Sequence, residues 1–415
     1  MNSDDRNWRT RTFISLSHRN YRNFFFSQAV SLTGTWMQSV AMAWLVLELT
    51  GSPTWLGLTI ALQTLPILLL SPYGGLLVDR MDKRHLLIGT QIAAGAQALT
   101  LGALMVIGTA TLTWALALSL GLGLINAIEN PCRQAFVREM VPAEMVRNAV
   151  SLNSVLVNVA RAVGPAIAGV LIATTGLAAC FFVNSATFLV AIVAFATMKR
   201  SELTPTEPLA RGPGQLREGL RYVRGDPHLL VPLVMMAMVG TLTYEFQVSL
   251  PALATGTFGG GPAAIGAVTA AMGAGAVVGG LVSAGRTTSG IRTMVFAAMA
   301  FGAAVLLVAV APTLHLAAVA LVPVGAASIW FLSTANSTLQ LTAAPQMRGR
   351  VMALWTVAFL GTTPVGGPII GFIAENAGPR WALSLGALAA LSAAGLGATA
   401  LTRLSRVRTT RESQM

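Results

Sequence analysis

The chain predicts an all-α polytopic membrane protein, with twelve transmembrane helices arranged as two pseudo-symmetric six-helix bundles. Three observations carry that expectation. Of 415 residues, 54% are hydrophobic and only 10% charged, which leaves too little polar surface to cover a water-soluble fold of this size. The apolar residues fall in long runs, each near the ~20 residues that a helix rising 1.5 Å per residue needs to cross a bilayer. The two halves also resemble each other. At one fixed offset Pro142 matches Pro345, Arg147 matches Arg350, Gly164-Pro165 matches Gly367-Pro368 and Ile167 matches Ile370, while Gly74-Gly75-Leu76 matches Gly279-Gly280-Leu281 at a neighbouring offset. A repeat with both copies in one orientation implies two bundles about an axis normal to the membrane.

The spans are expected near 23–49, 53–77, 86–107, 113–131, 149–173, 178–198, 229–252, 262–284, 293–311, 315–338, 350–374 and 381–402. Residues 1–22 are polar and basic with no short apolar stretch ahead of a small-residue cleavage site, so no cleaved signal is expected. Residues 199–228, with Pro205, Pro208, Gly212, Pro213 and Gly214, form the long polar interruption. The expected organisation is an N-terminal bundle over 1–198, a cytoplasmic linker over 199–228 and a C-terminal bundle over 229–415. In the linker, Leu216, Leu220 and Val223 recur at helical spacing beside Arg217, Arg221 and Arg224. That pattern reads as an amphipathic helix on lipid phosphates, or else as a flexible linker.

The formal net charge of +12 is explained by orientation. Lys and Arg concentrate in the termini and predicted inner loops, with Arg380 in an outer loop and Arg161 inside a span, which is the positive-inside bias. Both termini are therefore expected in the cytoplasm and the chain in the plasma membrane, the inner one in a two-membrane bacterium. Nucleic acid is not an expected partner; the lipid bilayer is. Cys132 and Cys180 lie at the ends of different spans and read as small packed residues. His18, His85, His228 and His315 form no metal constellation, and no cofactor is expected. No phosphate-cradling Gly-x-x-x-x-Gly-Lys-Ser/Thr loop or catalytic cluster of His, Asp and Ser occurs, which argues against ATP-driven transport and enzyme chemistry.

Several polar residues stand out inside the spans. Arg161 lies ~17 Å into a hydrocarbon layer of ~30 Å, too deep to reach the inner surface with ease. It calls for a wet cavity or an acid partner, and Pro165 cannot give an N–H to its carbonyl. Glu245, in Thr243-Tyr244-Glu245-Phe246-Gln247, sits well inside span 7. A carboxyl there suits a group that gains and loses a proton each cycle, with Arg161 as charge partner or substrate contact; a solvated cavity-wall role is the alternative. Glu129 lies one turn from Arg133 near the inner end of span 4, whereas Glu375 falls at an outer helix end where water explains it. Trp36, Gln38, Asn126, Asn158, Tyr244, Gln247 and Trp355 are candidate pocket residues, since ligand sites are mostly apolar with a few polar groups.

Between spans 2 and 3, Asp79-Arg80-Met81-Asp82-Lys83-Arg84 packs five charges into six residues. With Gly75, this loop resembles the Gly-x-x-x-Asp-Arg-x-Gly-Arg-Lys signature of the major facilitator superfamily, matched at Gly75, Asp79, Arg80, Lys83 and Arg84, with Asp82 in place of the second glycine. The pattern is similar to the exporter branch that includes macrolide-efflux and enterobactin-exporter proteins, through Gly34-Thr35-Trp36-Met37-Gln38-Ser39, Leu47-Glu48-Leu49-Thr50-Gly51-Ser52-Pro53, Arg133-Gln134-Ala135-Phe136 and Phe246-Gln247 with Leu250-Pro251.

The resemblance implies a conformational latch of Gly75, Asp79, Arg80, Lys83, Arg84, Glu129 and Arg133. In it Asp79 would sit near the start of span 11, and Arg80, Lys83 and Arg84 would face lipid phosphates; the alternative is a loop that only sets topology. In the second half Ala284 stands where the acid would be, so the latch is expected on one half only. Gly164, Pro165 and Gly169 resemble an antiporter signature that favours export, and Gly367, Pro368 and Gly371 repeat it; such pairs bend helices or form a small-residue packing seam. A monomer is implied by the resemblance alone. The expected function is secondary active efflux of amphipathic small molecules or drugs, with the proton as coupling ion, by alternating access. A siderophore exporter of the enterobactin type and a non-transporting receptor or scaffold are the alternatives.

Overall fold

The computed structural model describes residues 13–204, 215–284 and 289–412. Among them twelve helical segments are long and apolar enough to cross a membrane, from Arg19–Thr50 to Pro379–Ser405. The first six helices are α1 (Arg19–Thr50), α2 (Pro53–Arg80), α3 (Lys83–Ile107), α4 (Leu112–Met140), α5 (Val146–Thr175) and α6 (Leu177–Ala196). After a short helix α7 (Gln215–Arg224) come α8 (Pro227–Leu242), α9 (Phe246–Ala252), α10 (Pro262–Ala284), α11 (Ile291–Ala309), α12 (Leu314–Thr342), α13 (Arg348–Leu360), α14 (Thr363–Asn376) and α15 (Pro379–Glu412). Two spans are interrupted: α8 and α9 are pieces of one, and α13 and α14 are pieces of another.

The helix ends carry the repeat at atomic detail. The Thr111 side chain accepts from Trp114 N at the start of α4, and that of Thr313 accepts from Leu316 N at the start of α12. The same cap thus opens the fourth span of each half, satisfying an amide that has no partner within its helix. Gly108 closes α3 at φ 76°, a left-handed conformation that glycine adopts without steric cost.

The chain groups into two compact units, Met1–Leu49 with Leu65–Leu209, and Thr50–Thr64 with Ala210–Met415. In the first, α3 packs along α6 and α4, and a Cβ on Gly102 would meet the Phe182 ring at 2.9 Å. One end of this unit is an aromatic core in which Phe24 and Phe136 lie 6.1 and 6.5 Å from Phe195. The Tyr21 hydroxyl donates to Ala149 O at 2.8 Å, so the ring is buried with its polar tip satisfied.

In the second unit α11 packs along α15 and α12, the counterpart of α3 with α6 and α4. Gly302 takes the place of Gly102, with a would-be Cβ 2.8 Å from Leu391. A close backbone approach joins α10 to α12: a Cβ on Gly275 would overlap Val322 O, and one on Gly325 would overlap Met272 O. Helix α7 forms over Gln215–Arg224, in the segment that carries the helical spacing. It docks on α13, with Glu218 Oε1 2.6 Å from Arg350 Nη1 and Val223 buried beside Leu229, Leu339 and Val351. The cause is Gly219, whose bare Cα admits the Arg350 side chain to 3.0 Å of a would-be Cβ. Arg217, Arg221, Arg224 and Leu220 face outward, while the Leu216 side chain lies outside the described residues.

Candidate functional site

The seventh span stops being helical where its only carboxyl stands. In an unbroken helix the Glu245 amide would donate to Thr241 O. Instead Thr243 N and Tyr244 N both turn back to Val239 O, and the ladder resumes only where Val248 N and Ser249 N donate to Glu245 O. Three neighbours hold the break open. The Thr243 hydroxyl donates to Gly386 O of α15 at 2.7 Å. The Tyr244 hydroxyl donates to Ser328 O of α12 at 2.6 Å. The Tyr244 ring lies 5.2 to 6.3 Å from those of Phe359, Phe301 and Phe246.

The Glu245 side chain is 3% exposed, and its Oε1 has no hydrogen-bond partner among the described residues. Its surroundings are the start of α14, the second half of the other broken span. The Thr363 side chain hydrogen-bonds the carboxyl. A Cβ on Gly366 would stand 2.9 Å from Glu245 Oε1 and would overlap Thr241 O; one on Gly367 would stand 3.6 Å from Oε2. Glycine at 366 is therefore a condition of this contact. On the elements packed against this break, the charged or titratable side chains described are His228 on α8, Arg292 on α11, His315 on α12, Arg348 and Arg350 on α13, Glu375 on α14, and Arg380 and Arg403 on α15. Arg380 is engaged with Ala309 O and Ala311 O, and the His228 end of α8 is capped by Asp226.

The opposite edge of α14 grips the start of α2. A Cβ on Gly57 would overlap Gly367 O, and one on Gly371 would overlap Pro53 O. One turn further, Glu375 accepts from the Ser52 hydroxyl and from Thr54 N at 3.2 Å. Glu375, expected to be explained by water alone, thus caps α2. Gly367, Gly371 and Glu375 recur every four residues and form one stripe. Pro368 lies within α14, which is continuous through it.

In the first unit, Arg161 of α5 stacks its guanidinium over Trp36 at 4.8 Å, a cation–π contact. Gly164 lets α5 approach α1 so closely that a Cβ would stand 2.6 Å from Thr33 O. Pro165 and Gly169 are buried in the same helix, which stays helical from Val146 to Thr175; at Gly164 the motif forms a packing seam. The Gln38 amide is engaged at both ends, accepting from Asn184 Nδ2 at 2.6 Å and donating to Gln97 Oε1 at 3.0 Å. Asn158 bonds Ser154 O of its own helix, and Asn126 is half-buried on α4. In the second unit Gln247 is exposed, and Trp355 lies 5.5 Å from Phe359 with its Nε1 buried and without a hydrogen-bond partner among the described residues.

The charged loop after α2 differs from the lipid-facing expectation. Lys83 Nζ lies 2.7 Å from Glu139 Oε1, with side chains 11% and 8% exposed. Arg84 donates to Phe195 O at 2.6 Å and to Ala196 O, where a cation meets the carbonyl end of α6. Arg80 is exposed. Asp82, in the signature's glycine position, caps α3 by accepting from His85 N at 3.1 Å. Gly75 and Asp79 fall within α2 and Ala284 ends α10, but their surroundings lie outside the described residues, as does Arg286. Arg133 donates to Gln28 Oε1 at 3.2 Å, and Glu129 feels its charge from one turn away. Glu139 was not singled out in sequence. Its signal is an acid beside Arg138 at the end of a long apolar run, but its partner is 56 residues away.

The twelve-span fold matches that of a bacterial homolog of the human lysosomal transporter Spinster, solved in an inward-facing, unoccupied conformation, at TM-score 0.69 and 15% identity over 92% of this chain and 95% of that one. A family model described as transmembrane secretion effector matches residues 10–414, and the chain belongs to that family of the major facilitator superfamily. Among curated relatives, the uncharacterized MFS-type transporter YfiS of Bacillus subtilis is 29% identical over 51% of each chain. The staphyloferrin A transporter of Staphylococcus aureus is 30% identical over 41% of this chain and 43% of its own. This chain thus spans about half the length of those two relatives. The multidrug efflux pump Tap of Mycolicibacterium fortuitum is 29% identical over 91% of this chain and 90% of its own.

Proposed function

We propose that the protein is a secondary active transporter of the plasma membrane that exports amphipathic small molecules in exchange for protons by alternating access. In this reading residues 1–198 and 229–415 are the two six-helix halves, residues 199–228 are the linker between them, and both termini are cytoplasmic. The observation that carries the reading is Glu245: a carboxyl 3% exposed, at the break of a span, with one oxygen lacking a partner. Buried ionisable groups in membrane spans are expensive and mark ion pathways, and broken spans are where secondary transporters place coupling ions. Near full-length similarity to a multidrug efflux pump supports export of drug-like molecules.

The test is Glu245→Gln in proteoliposomes under an imposed pH gradient, with ethidium and erythromycin as probes. Gradient-driven flux should fall to the background of empty vesicles, while binding of a transported probe is retained. Unaltered gradient-driven flux in the variant overturns the coupling role. Siderophore export is the second reading, favoured by the similarity to the staphyloferrin A transporter. Flux of staphyloferrin A in preference to either probe would select it.

A further inference from the structure

We infer that the proton on Glu245 is held between two broken spans, as a hydrogen bond from the Glu245 carboxyl to the bare Thr241 carbonyl across Gly366, with Gly366 and Thr363 as positioning residues. This rests on the reading of Glu245 as the coupling carboxyl and adds the acceptor and the residues that shape the site.

The argument starts from two polar atoms left over by the break. Thr241 O loses the amide that a continuous helix would supply, since the chain turns back to Val239 O before Glu245. Glu245 Oε1 is buried without a partner. Both face the position where a Cβ would stand on Gly366. Two acceptors facing one buried space cannot bond each other, and unpaired buried polar groups are rare because each costs free energy. Adding one proton to Oε1 turns one acceptor into a donor aimed at the other, so a single proton satisfies both atoms. The other carboxyl oxygen lies beside Gly367, and the Thr363 hydroxyl supplies the carboxyl's remaining hydrogen bond.

The charged groups on the neighbouring elements do not offer a substitute. Glu375 is engaged with Ser52 and Thr54, and Arg380 with the carbonyls of Ala309 and Ala311. His228, Arg292, His315, Arg348, Arg350 and Arg403 lie far along α8, α11, α12, α13 and α15 from the residues that meet the break. The Tyr244 hydroxyl is committed to Ser328 O. The proton comes from water and returns to water: the carboxylate gains H+ and the O–H bond forms, then that bond breaks as the carboxyl ionises. No other reactant is needed.

Gly366 has a second role in this arrangement. Any side chain there would wedge between Thr241 O and the carboxyl, so the proton site and the close passage of α14 over α8 depend on the same missing methyl. Sodium is the competing occupant of such a cradle, since unwound carbonyls also coordinate that ion. A sodium ion would need the carboxyl ionised at the moment of occupation, whereas the proton requires it neutral. The two are separable by spectroscopy.

The test is infrared difference spectroscopy of the purified full-length protein in lipid, titrated from pH 9 to pH 5 without substrate. Wild type should gain a protonated-carboxyl band that is absent in Glu245→Gln. In Gly366→Ala the band should move to higher frequency, because the carboxyl loses its acceptor. In Thr363→Val the pH at which the band appears should shift by about half a unit or more, and Thr363→Ser should restore it. If Gly366→Ala does not fold, the Thr363 pair still decides. A band removed by Glu245→Gln yet unmoved in both Gly366→Ala and Thr363→Val overturns the inference and leaves Glu245 as the coupling carboxyl. A wild-type spectrum in Glu245→Gln overturns both. Suppression of the band by sodium at fixed pH assigns the cradle to that ion instead.

Discussion

Lys83 and Glu139 form an ion pair 2.7 Å apart with little exposure. Removing one partner strands the other's charge, and such deletions cost ~3–5 kcal/mol. Glu139→Gln should therefore lower the unfolding midpoint of the solubilised protein sharply, while replacing Lys83 and Glu139 together by Met and Leu should recover most of the loss. Asp82 acts more weakly and with a definite pH dependence. Burial opposes ionisation of its carboxyl, but the His85 amide, the charge of His85, the Arg84 amide and Arg200 outweigh it and hold its pKa below the ordinary value. Because the folded value lies below the unfolded one, this stabilisation is present above ~pH 4 and is lost as pH falls through the folded value. Asp82→Ala should cost ~1 kcal/mol at neutral pH through the lost cap, and the gap to wild type should close in acid. Sequence showed Asp82 as a departure from a signature, and only the turn geometry shows that the departure caps a helix. Glu245 was legible because a carboxyl inside an apolar run has few innocent explanations; Glu139 was not, because its meaning depends on a distant lysine.

At the scale of helices, the seam of α10 with α12 rests on Gly275 and Gly325 facing backbone carbonyls. Gly275→Ala should destabilise by ~1–3 kcal/mol, because overpacking forces shifts in neighbours that cannot yield. Gly280→Ala, with only the Ile329 side chain at 3.9 Å, should be nearly silent; thermal unfolding of the pair makes the comparison. The twelve spans were readable because bilayer thickness sets their length and apolar content. The interruptions were less so. Gly361 and Pro364 hint at the break between α13 and α14, but Thr243-Tyr244-Glu245 holds neither glycine nor proline, and its break is maintained by Gly386, Ser328 and a ring cluster from other helices. Helix α7 was visible as a pattern of Leu and Arg, whereas its seat on α13 depends on Gly219 and on an ion pair with Arg350.

For the molecule as a whole, the apolar runs carried the helix count, and the packing of the third span on the fourth and sixth recurs in both halves of the structure. Cys132 and Cys180 are both buried, so the folded protein should resist a small maleimide until denatured. That leaves single introduced cysteines as clean reporters of topology. Asn376→Cys, at the exposed last residue of α14, should react with an impermeant maleimide added to whole cells; Ser201→Cys, exposed after α6, should react only once the membrane is opened. Reversed labelling would invert the orientation inferred from the Lys and Arg distribution. What no hydropathy pattern could reveal is the grouping of Thr50–Thr64 with the second unit, since it is set by glycines 57, 367 and 371 meeting across more than three hundred residues of chain.

Helix α14 is cut to backbone depth along two edges, with Gly366 against Thr241 on one and Gly367, Gly371 and Glu375 against residues 52–57 on the other. A helix fitted so closely on both sides has lost the freedom to roll: rotation that relieves one edge drives the other into a neighbouring main chain. Translation along its own axis is hindered too, because the bonds to Glu375 and Thr363 tether both ends. The first turns of α2, the half-helix α14 and the broken turn at Glu245 therefore form one closely fitted wedge, in which a roll of α14 presses on both of its neighbours.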